Sequence, residues 1–244
     1  MKQVFPHIRR QRAFTLIELL TVIAIIAVLA GLLLPTLVGG KERAKRIRCL
    51  NNMRQLNMAL RLYAHDFNDD LPSGVTDDGN EYPPIVPTNT WKQLVRYAGS
   101  DRIIGCPNLP NPFRLGGYPM APHGYVIGFN YLGGHKKLLD SGMDTNRRWH
   151  SPLAMDESAD LPLLVDLNVW APGGGQTVAP HGHGGAVARQ GDGSNSNQGG
   201  RTPAELGAKG GNLSYLDGSA AWKPIAKMRT YQLSLVHDEL LGMW

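Results

Sequence analysis

The chain has 244 residues, 42% of them hydrophobic, with 29 glycines and 17 prolines. That length suffices for one packed domain plus an extra segment, and the glycine and proline content argues for a loop-rich domain over a helical bundle. The formal charge is +5, but Lys2, Arg9, Arg10 and Arg12 all precede Phe14; without them 21 of the 25 basic residues face 20 acidic ones, so nucleic acid is not expected as a partner of the nearly neutral remainder. Two cysteines, Cys49 and Cys106, with no CxxC, exclude a zinc site of ordinary spacing. They permit either a disulfide, if the domain lies outside the cytoplasm, or two buried thiols.

From Phe14 to Leu37 the chain is apolar apart from Thr15, Thr21, Thr36 and one charge, Glu18. Twenty-four helical residues span about 36 Å, enough to cross a hydrocarbon core of about 30 Å. Three readings fit: a plain signal anchor, a signal peptide cut after Val28-Leu29-Ala30 before Gly31, and a leader that ends at Ala13. Basic residues flank the span on both sides, so charge bias alone does not orient it. The second basic cluster, Lys41, Arg43, Lys45, Arg46 and Arg48, is expected to form a solvated or headgroup-facing collar.

The order basic leader, Ala13, then Phe14-Thr15-Leu16-Ile17-Glu18-Leu19-Leu20 resembles the prepilin N-terminus shared by type IV pilins and type II secretion pseudopilins. The resemblance implies cleavage between Ala13 and Phe14 by a prepilin peptidase and N-methylation of Phe14. It puts Glu18 at the fifth mature position and Pro35 at the twenty-second, where pilins carry a helix-kinking proline. Ala13 departs from the family's usual glycine. A carboxylate in a membrane helix costs a few kcal/mol unless paired. No Lys or Arg follows Phe14 within a turn, so the resemblance assigns Glu18 the α-amine of a neighbouring subunit as its partner. It also implies an inner-membrane, single-pass protein with residues 1–13 in the cytoplasm and the head in the periplasm or outside the cell. The partners it implies are copies of the chain itself, other pilins or pseudopilins, and an inner-membrane assembly platform.

Farther on, Cys49, Met53, Leu56, Leu60, Tyr63 and Phe67 recur at spacings of 4, 3, 4, 3, 4, one stripe of a helix. Arg48, Asn52, Arg54, Gln55 and Arg61 take the other face. The spacing therefore predicts an amphipathic continuation over 38–68, loosened at Gly39-Gly40 and stopped by Asn68-Asp69-Asp70 and Pro72. A head domain would fill 69–244. Asp66, Asn68 and Asp70 have the spacing of a calcium loop but lack its glycine and distal glutamate, and so read as a turn. The segment from Cys49 through Cys106-Pro107 to Gly128-Phe129-Asn130-Tyr131 resembles pilin-like families abundant in Planctomycetes and Verrucomicrobia. The implied fold is α+β and pilin-like: a long N-terminal helix packed on a small antiparallel sheet with long loops.

Residues 161–170 read as one buried strand, and the Gly-, Asn- and Ser-rich stretch 173–211 as a mobile loop. Asp217-Gly218 between two strand-like pieces predicts a hairpin. His181, His183, Asp166 and Asp217 can be drawn as a metal site. Because some pseudopilins bind calcium through C-terminal carboxylates, the resemblance makes Asp166 with Asp217 a calcium candidate; otherwise no cofactor is expected. No nucleophile elbow and no phosphate-binding loop with its lysine is present, so no enzyme is expected. The leading function is a structural pilin or pseudopilin of a type II secretion or type IV pilus-like filament. The alternative is a membrane-anchored module that binds glycans or other polymers through Trp91, Trp149, Trp170 and Trp222.

Overall fold

The computed structural model describes residues 15–111, 113–114, 116–136, 145–172, 177–183, 185–189, 201–234 and 240–244, with the backbone alone described at 35, 36, 38, 145, 188 and 189. The chain divides into two compact units between Lys41 and Glu42. Helix α1, Leu16–Asp66, begins in the first and ends in the second.

Thr15 starts α1 with a capping box. Its N–H and hydroxyl both donate to Glu18 Oε2, at 2.9 and 2.8 Å, and Glu18 N–H donates back to Thr15 Oγ1 at 3.3 Å. The helix then continues past Pro35 and Gly39-Gly40 to Asp66 as one element. At the other end Asn68 and Asp69 take positive φ, 55° and 65°. Phe67 N–H and Asp69 N–H both turn back to Ala64 O, closing the last turn at Asp66, two residues before the expected end.

Within the second unit α1 buries Cys49, Met53, Leu56 and Leu60 completely. Tyr63 and Phe67 continue the stripe's phase, but Phe67 is 42% exposed and stacks on Tyr63 at 4.3 Å. The flanks of the stripe are not simply solvated. Asn52 Nδ2 donates to Gly105 O at 3.2 Å, and Asn57 Nδ2 to Ser214 Oγ at 2.8 Å and Tyr215 O at 2.7 Å. Arg61 donates to Asn57 Oδ1 and to Leu216 O. Polar residues beside the stripe thus dock the helix through backbone groups of the head.

The remaining elements, in chain order, are β1 (Ile85–Val86), α2 (Thr88–Ala98), β2 (Tyr118–Met120), β3 (Gly124–Val126) and β4 (Phe129–Tyr131). They continue with β5 (Pro162–Asp166), β6 (Val169–Trp170), β7 (Thr177–Ala179), β8 (Val187–Arg189) and β9 (Gly210–Tyr215). The last three are β10 (Ala220–Pro224), β11 (Thr230–Ser234) and β12 (Leu240–Met243). All pairings are antiparallel, in three sheets of order β1-β3-β2, β10-β9-β5-β4 and β11-β12-β6-β7-β8. This is an α+β fold of a long N-terminal helix followed by antiparallel sheets, as expected of a pilin-like chain.

The four-stranded sheet lies under α1. Val165 pairs with Leu213 and Leu164 with Ser214. Alternation puts Leu164, Asp166, Asn212 and Ser214 on the α1 side and Val165 and Leu213 on the other. Residues on both sides are buried, so the sheet is covered on both faces.

Two sequence expectations are corrected here. The run 161–170 is two strands in different sheets, because Asn168 N–H turns back to Asp166 O at 2.8 Å and Asn168 O takes Met243 N–H at 2.9 Å. The stretch 173–211 is not all loop: β7 and β8 lie within it and pair with β6 and with each other. Of that stretch 173–176, 184 and 190–200 lie outside the described residues. The Asp217-Gly218 hairpin joins β9 to β10 as expected, with Gly218 at φ 85°.

Asn57 is buried and makes two hydrogen bonds to β9, whereas Arg54 makes one exposed bond, to Ala220 O at 3.2 Å. Asn57→Ala should therefore destabilise the head by about 1–3 kcal/mol, because two buried partners lose their donor. Arg54→Ala should stay within about 0.5 kcal/mol. Urea unfolding of the full chain in detergent compares the two, and equal midpoints would rule out docking through Asn57.

Candidate functional site

Two regions carry chemistry. The first is the start of α1. Ala13 and Phe14 lie outside the described residues. Glu18, the one charge between Leu16 and Leu34, is held by its own chain, with both Thr15 donors on Oε2. The hydroxyl of Thr21 is likewise satisfied within the helix, donating to Glu18 O at 3.0 Å. Around these two groups the surface is apolar on every side, with Leu16 82% and Leu32 70% exposed. A helix apolar all round needs lipid or other helices around it. It is one helix among the described residues long and apolar enough to cross a membrane. At Pro35 only the backbone is described, and it is helical.

The second region is a buried polar cluster in the head. Asp166, at the end of β5, accepts Asn212 N–H on Oδ2 at 2.6 Å. His181, in the turn after β7, is 1% exposed. Its Nδ1 lies 2.8 Å from Glu42 Oε1 and its Nε2 lies 3.4 Å from Asp166 Oδ2. Asn108 closes the arrangement, its amide donating to both Glu42 oxygens at 3.0 and 3.1 Å and to Pro180 O. The Trp222 ring meets His181 edge-on at 5.6 Å, and Arg46 sits 4.1 Å over the Trp222 ring.

Burial opposes a charge on His181, but the carboxylates of Asp166 and Glu42 outweigh it and push its pKa up to about 9. The imidazolium donates from Nδ1 to Glu42 Oε1, while its Nε2 faces the Asp166 carboxylate at ion-pair distance. The cluster thereby ties Glu42 on α1 to the β7–β8 turn and to β5.

Several expectations change at this cluster. Glu42 sits inside the basic run that was read as a collar, and the run is partly engaged: Glu42 bonds His181 and Asn108, and Arg46 covers Trp222. Neither Glu42 nor Asn108 carries a motif, since what distinguishes them is a partner far along the chain. Asp166 and Asp217 do not share a site. Asp166 is buried opposite Asn212, whereas Asp217 is in the exposed hairpin turn five residues farther along β9, where Oδ1 accepts Ser219 N–H at 2.7 Å. That separation is about 16 Å along an extended strand. His181 is buried and His183 exposed, so these two do not converge either. Among the described residues no group of three or more His, Cys, Asp or Glu side chains is arranged to hold a metal ion. Asp66 and Asp70 serve a turn: Asp66 takes the Tyr97 hydroxyl at 2.8 Å, and Asp70 forms a bridge with Ala154.

The four tryptophans form no common surface. Trp149 and Trp170 are buried, and Trp149 packs edge-on against Trp244. Trp91 stacks on Tyr125 at 4.1 Å and donates to Gly116 O, while Trp222 lies between His181 and Arg46. Two of the four are buried and the other two each have a face covered, by Tyr125 or by Arg46, so they offer no shared sugar platform. Cys49 and Cys106 do come together: both are fully buried thiols with sulfurs 2.9 Å apart.

His181 holds its proton in the folded head up to about pH 9, whereas an unfolded histidine releases it near pH 6.5. Its stabilising contribution is therefore complete below about pH 6.5 and is lost as pH rises through about 9. The melting temperature of the full chain should fall over that window more steeply than that of His181→Gln. Parallel curves for the two proteins would show that His181 is not charged in the fold.

The prokaryotic N-terminal methylation motif matches residues 8–34. The type II secretion system core protein G of Escherichia coli (strain K12) is 32% identical over 122 residues, 47% of this chain and 82% of that protein. That of Aeromonas hydrophila is 32% identical over 123 residues, 48% of this chain and 70% of that protein. That of Pectobacterium carotovorum subsp. carotovorum is 46% identical over 79 residues, 32% of this chain and 49% of that protein. The chain thus spans about half the length of the last relative and more than two thirds of the other two. No solved structure matches the chain. With an apolar N-terminal helix that carries the methylation motif, antiparallel sheets later in the chain and two relatives covered over more than two thirds of their length, the chain belongs to the type II secretion system core protein G family.

Proposed function

We propose that this protein is a pseudopilin, a structural subunit made as a precursor and assembled through α1 into a filament. A prepilin peptidase cuts between Ala13 and Phe14, and Phe14 is N-methylated. Cleavage removes Lys2, Arg9, Arg10 and Arg12 with the leader. The apolar segment from Phe14 to Leu37 holds the product in the inner membrane as a single span, with the head outside the cytoplasm. Subunits then leave the lipid by packing these helices against copies of themselves and other pseudopilins, at an inner-membrane assembly platform. Catalysis has no part in this reading.

The observation that carries the reading is the state of Glu18 on an otherwise apolar helix. Both Thr15 donors use Oε2, which leaves Oε1 for a second partner. A carboxylate has about four acceptor sites, so the cap and an ion pair are compatible. The α-amine of a neighbouring mature chain, which keeps its positive charge when methylated once, is the partner that cleavage creates. Pairing it with Glu18 would set the register of one helix on the next, because an unpaired carboxylate in lipid is costly.

Two measurements test this. Intact mass and N-terminal peptide mapping of protein from its own membranes should give a methylated Phe14 terminus; a terminus at Gly31 would mean a secreted head and would overturn the reading. Glu18→Gln separates the charge from the cap, since glutamine also closes a capping box. Glu18→Gln and Glu18→Ala should both insert normally and both be lost from sheared filaments. Normal incorporation of Glu18→Gln would show that the negative charge plays no part in assembly.

A further inference from the structure

The two cysteines lie at a junction that the pseudopilin reading does not use. Cys49 is on the buried stripe of α1, and Cys106 is in the segment that follows the short 3-10 turn Asp101–Ile103. That segment is held from several directions. Cys106 N–H donates to Phe113 O at 3.1 Å, Leu109 N–H to Cys106 O at 3.1 Å, and Gly128 N–H to Ile104 O at 3.0 Å. One turn along α1 from Cys49, Asn52 grips the Gly105 carbonyl. Gly128 packs so closely that a Cβ there would collide with Cys106 N. The backbone on both sides therefore fixes where Cys106 sits, and it sits against Cys49 with the sulfurs 2.9 Å apart.

We propose that Cys49 and Cys106 form a disulfide in the mature protein, a covalent tie between the helix and the sheet-bearing head. The proposal rests on the head lying outside the cytoplasm, where thiols are oxidised. A disulfide needs its sulfurs at about 2.05 Å; less than 1 Å of approach remains, which side-chain rotation supplies. Two thiols lose two protons and two electrons as one S–S bond forms. The electrons pass to the disulfide of a dithiol oxidase or of oxidised glutathione, which is reduced to two thiols.

The order of events follows from burial. In the folded head, the hydrogen bond to Cys106 and desolvation push the Cys49 thiol far above its ordinary pKa, and the buried Asp166 carboxylate adds to this. The thiolate is the species that attacks, and it is absent once the core has closed. The bond therefore forms while α1 is docking. Afterwards the same burial shields it from reductants.

The bond closes a loop between positions 57 residues apart, which restrains the unfolded chain. The test uses full-length protein from its own membranes, denatured with N-ethylmaleimide and weighed before and after reduction. No adduct before reduction and two after it are expected. Two adducts before reduction, on protein whose terminus maps to Phe14, would overturn the disulfide and leave the pseudopilin reading standing. If the terminus is not Phe14, refolding the full chain in a glutathione redox buffer decides the matter: loss of both thiols supports the bond, and two free thiols overturn it. Reduction should also lower the melting temperature by about 10 °C, and it should leave the Cys49→Ser/Cys106→Ser double variant unmoved.

Discussion

A single helix has to satisfy two different surroundings along its length, and the rest of the structure is arranged around that demand. From Leu16 to Leu34 α1 shows apolar side chains on every side, a surface tolerable only where water is absent. From Cys49 to Ala64 the same helix is one-sided, with an apolar stripe sunk into the head and polar neighbours along its edges. Nothing in helix geometry distinguishes the two stretches; only the pattern of side chains does. Thr15 and Glu18 resolve that end by capping each other: the carboxylate accepts the Thr15 N–H and the Thr15 hydroxyl accepts the Glu18 N–H, so two backbone donors at the start of the helix are satisfied within the chain.

The head answers with a sheet covered on both faces. Burying β5 and β9 from two sides removes water from Asp166, Asn212 and Ser214 as well as from the leucines and valines. Buried polar groups must then find partners within the protein. Several find them on α1 or through it: Asn57 reaches Ser214 and Tyr215, and Asn212 reaches the carbonyl of Arg46. Glu42 and Asp166 share the proton-bearing ring of His181. Apolar packing brings the helix to the sheet, while these directional contacts select one rotation and one height for it.

How much of this was legible in the sequence depends on the kind of signal. Cys49, Met53, Leu56 and Leu60 were readable because a helical period records which side is buried. Phe67 keeps that period and yet is left 42% exposed, since phase does not report the extent of the opposing surface. Asn52, Asn57 and Arg61 gave no sign of their roles, because their partners are main-chain groups with no residue identity. The apolar run 161–170 concealed a change of sheet at Leu167-Asn168. β7 and β8 were hidden by glycine, although a ladder between strands needs only backbone groups. Glu42 stood in a basic run, and its partner His181 lies 139 residues away. Spacing rules read neighbours, and a contact of that range has none.

The side-chain grips on α1 have a mechanical consequence. Asn52, Asn57 and Arg61 span ten residues of helix, about 14 Å, and each holds a different carbonyl of the head. A pull along the helix axis loads these grips in parallel, as a shear joint, and they must yield together. A pull across the axis opens them one after another from an end, as a peel. The same contacts therefore resist axial tension far better than lateral tension.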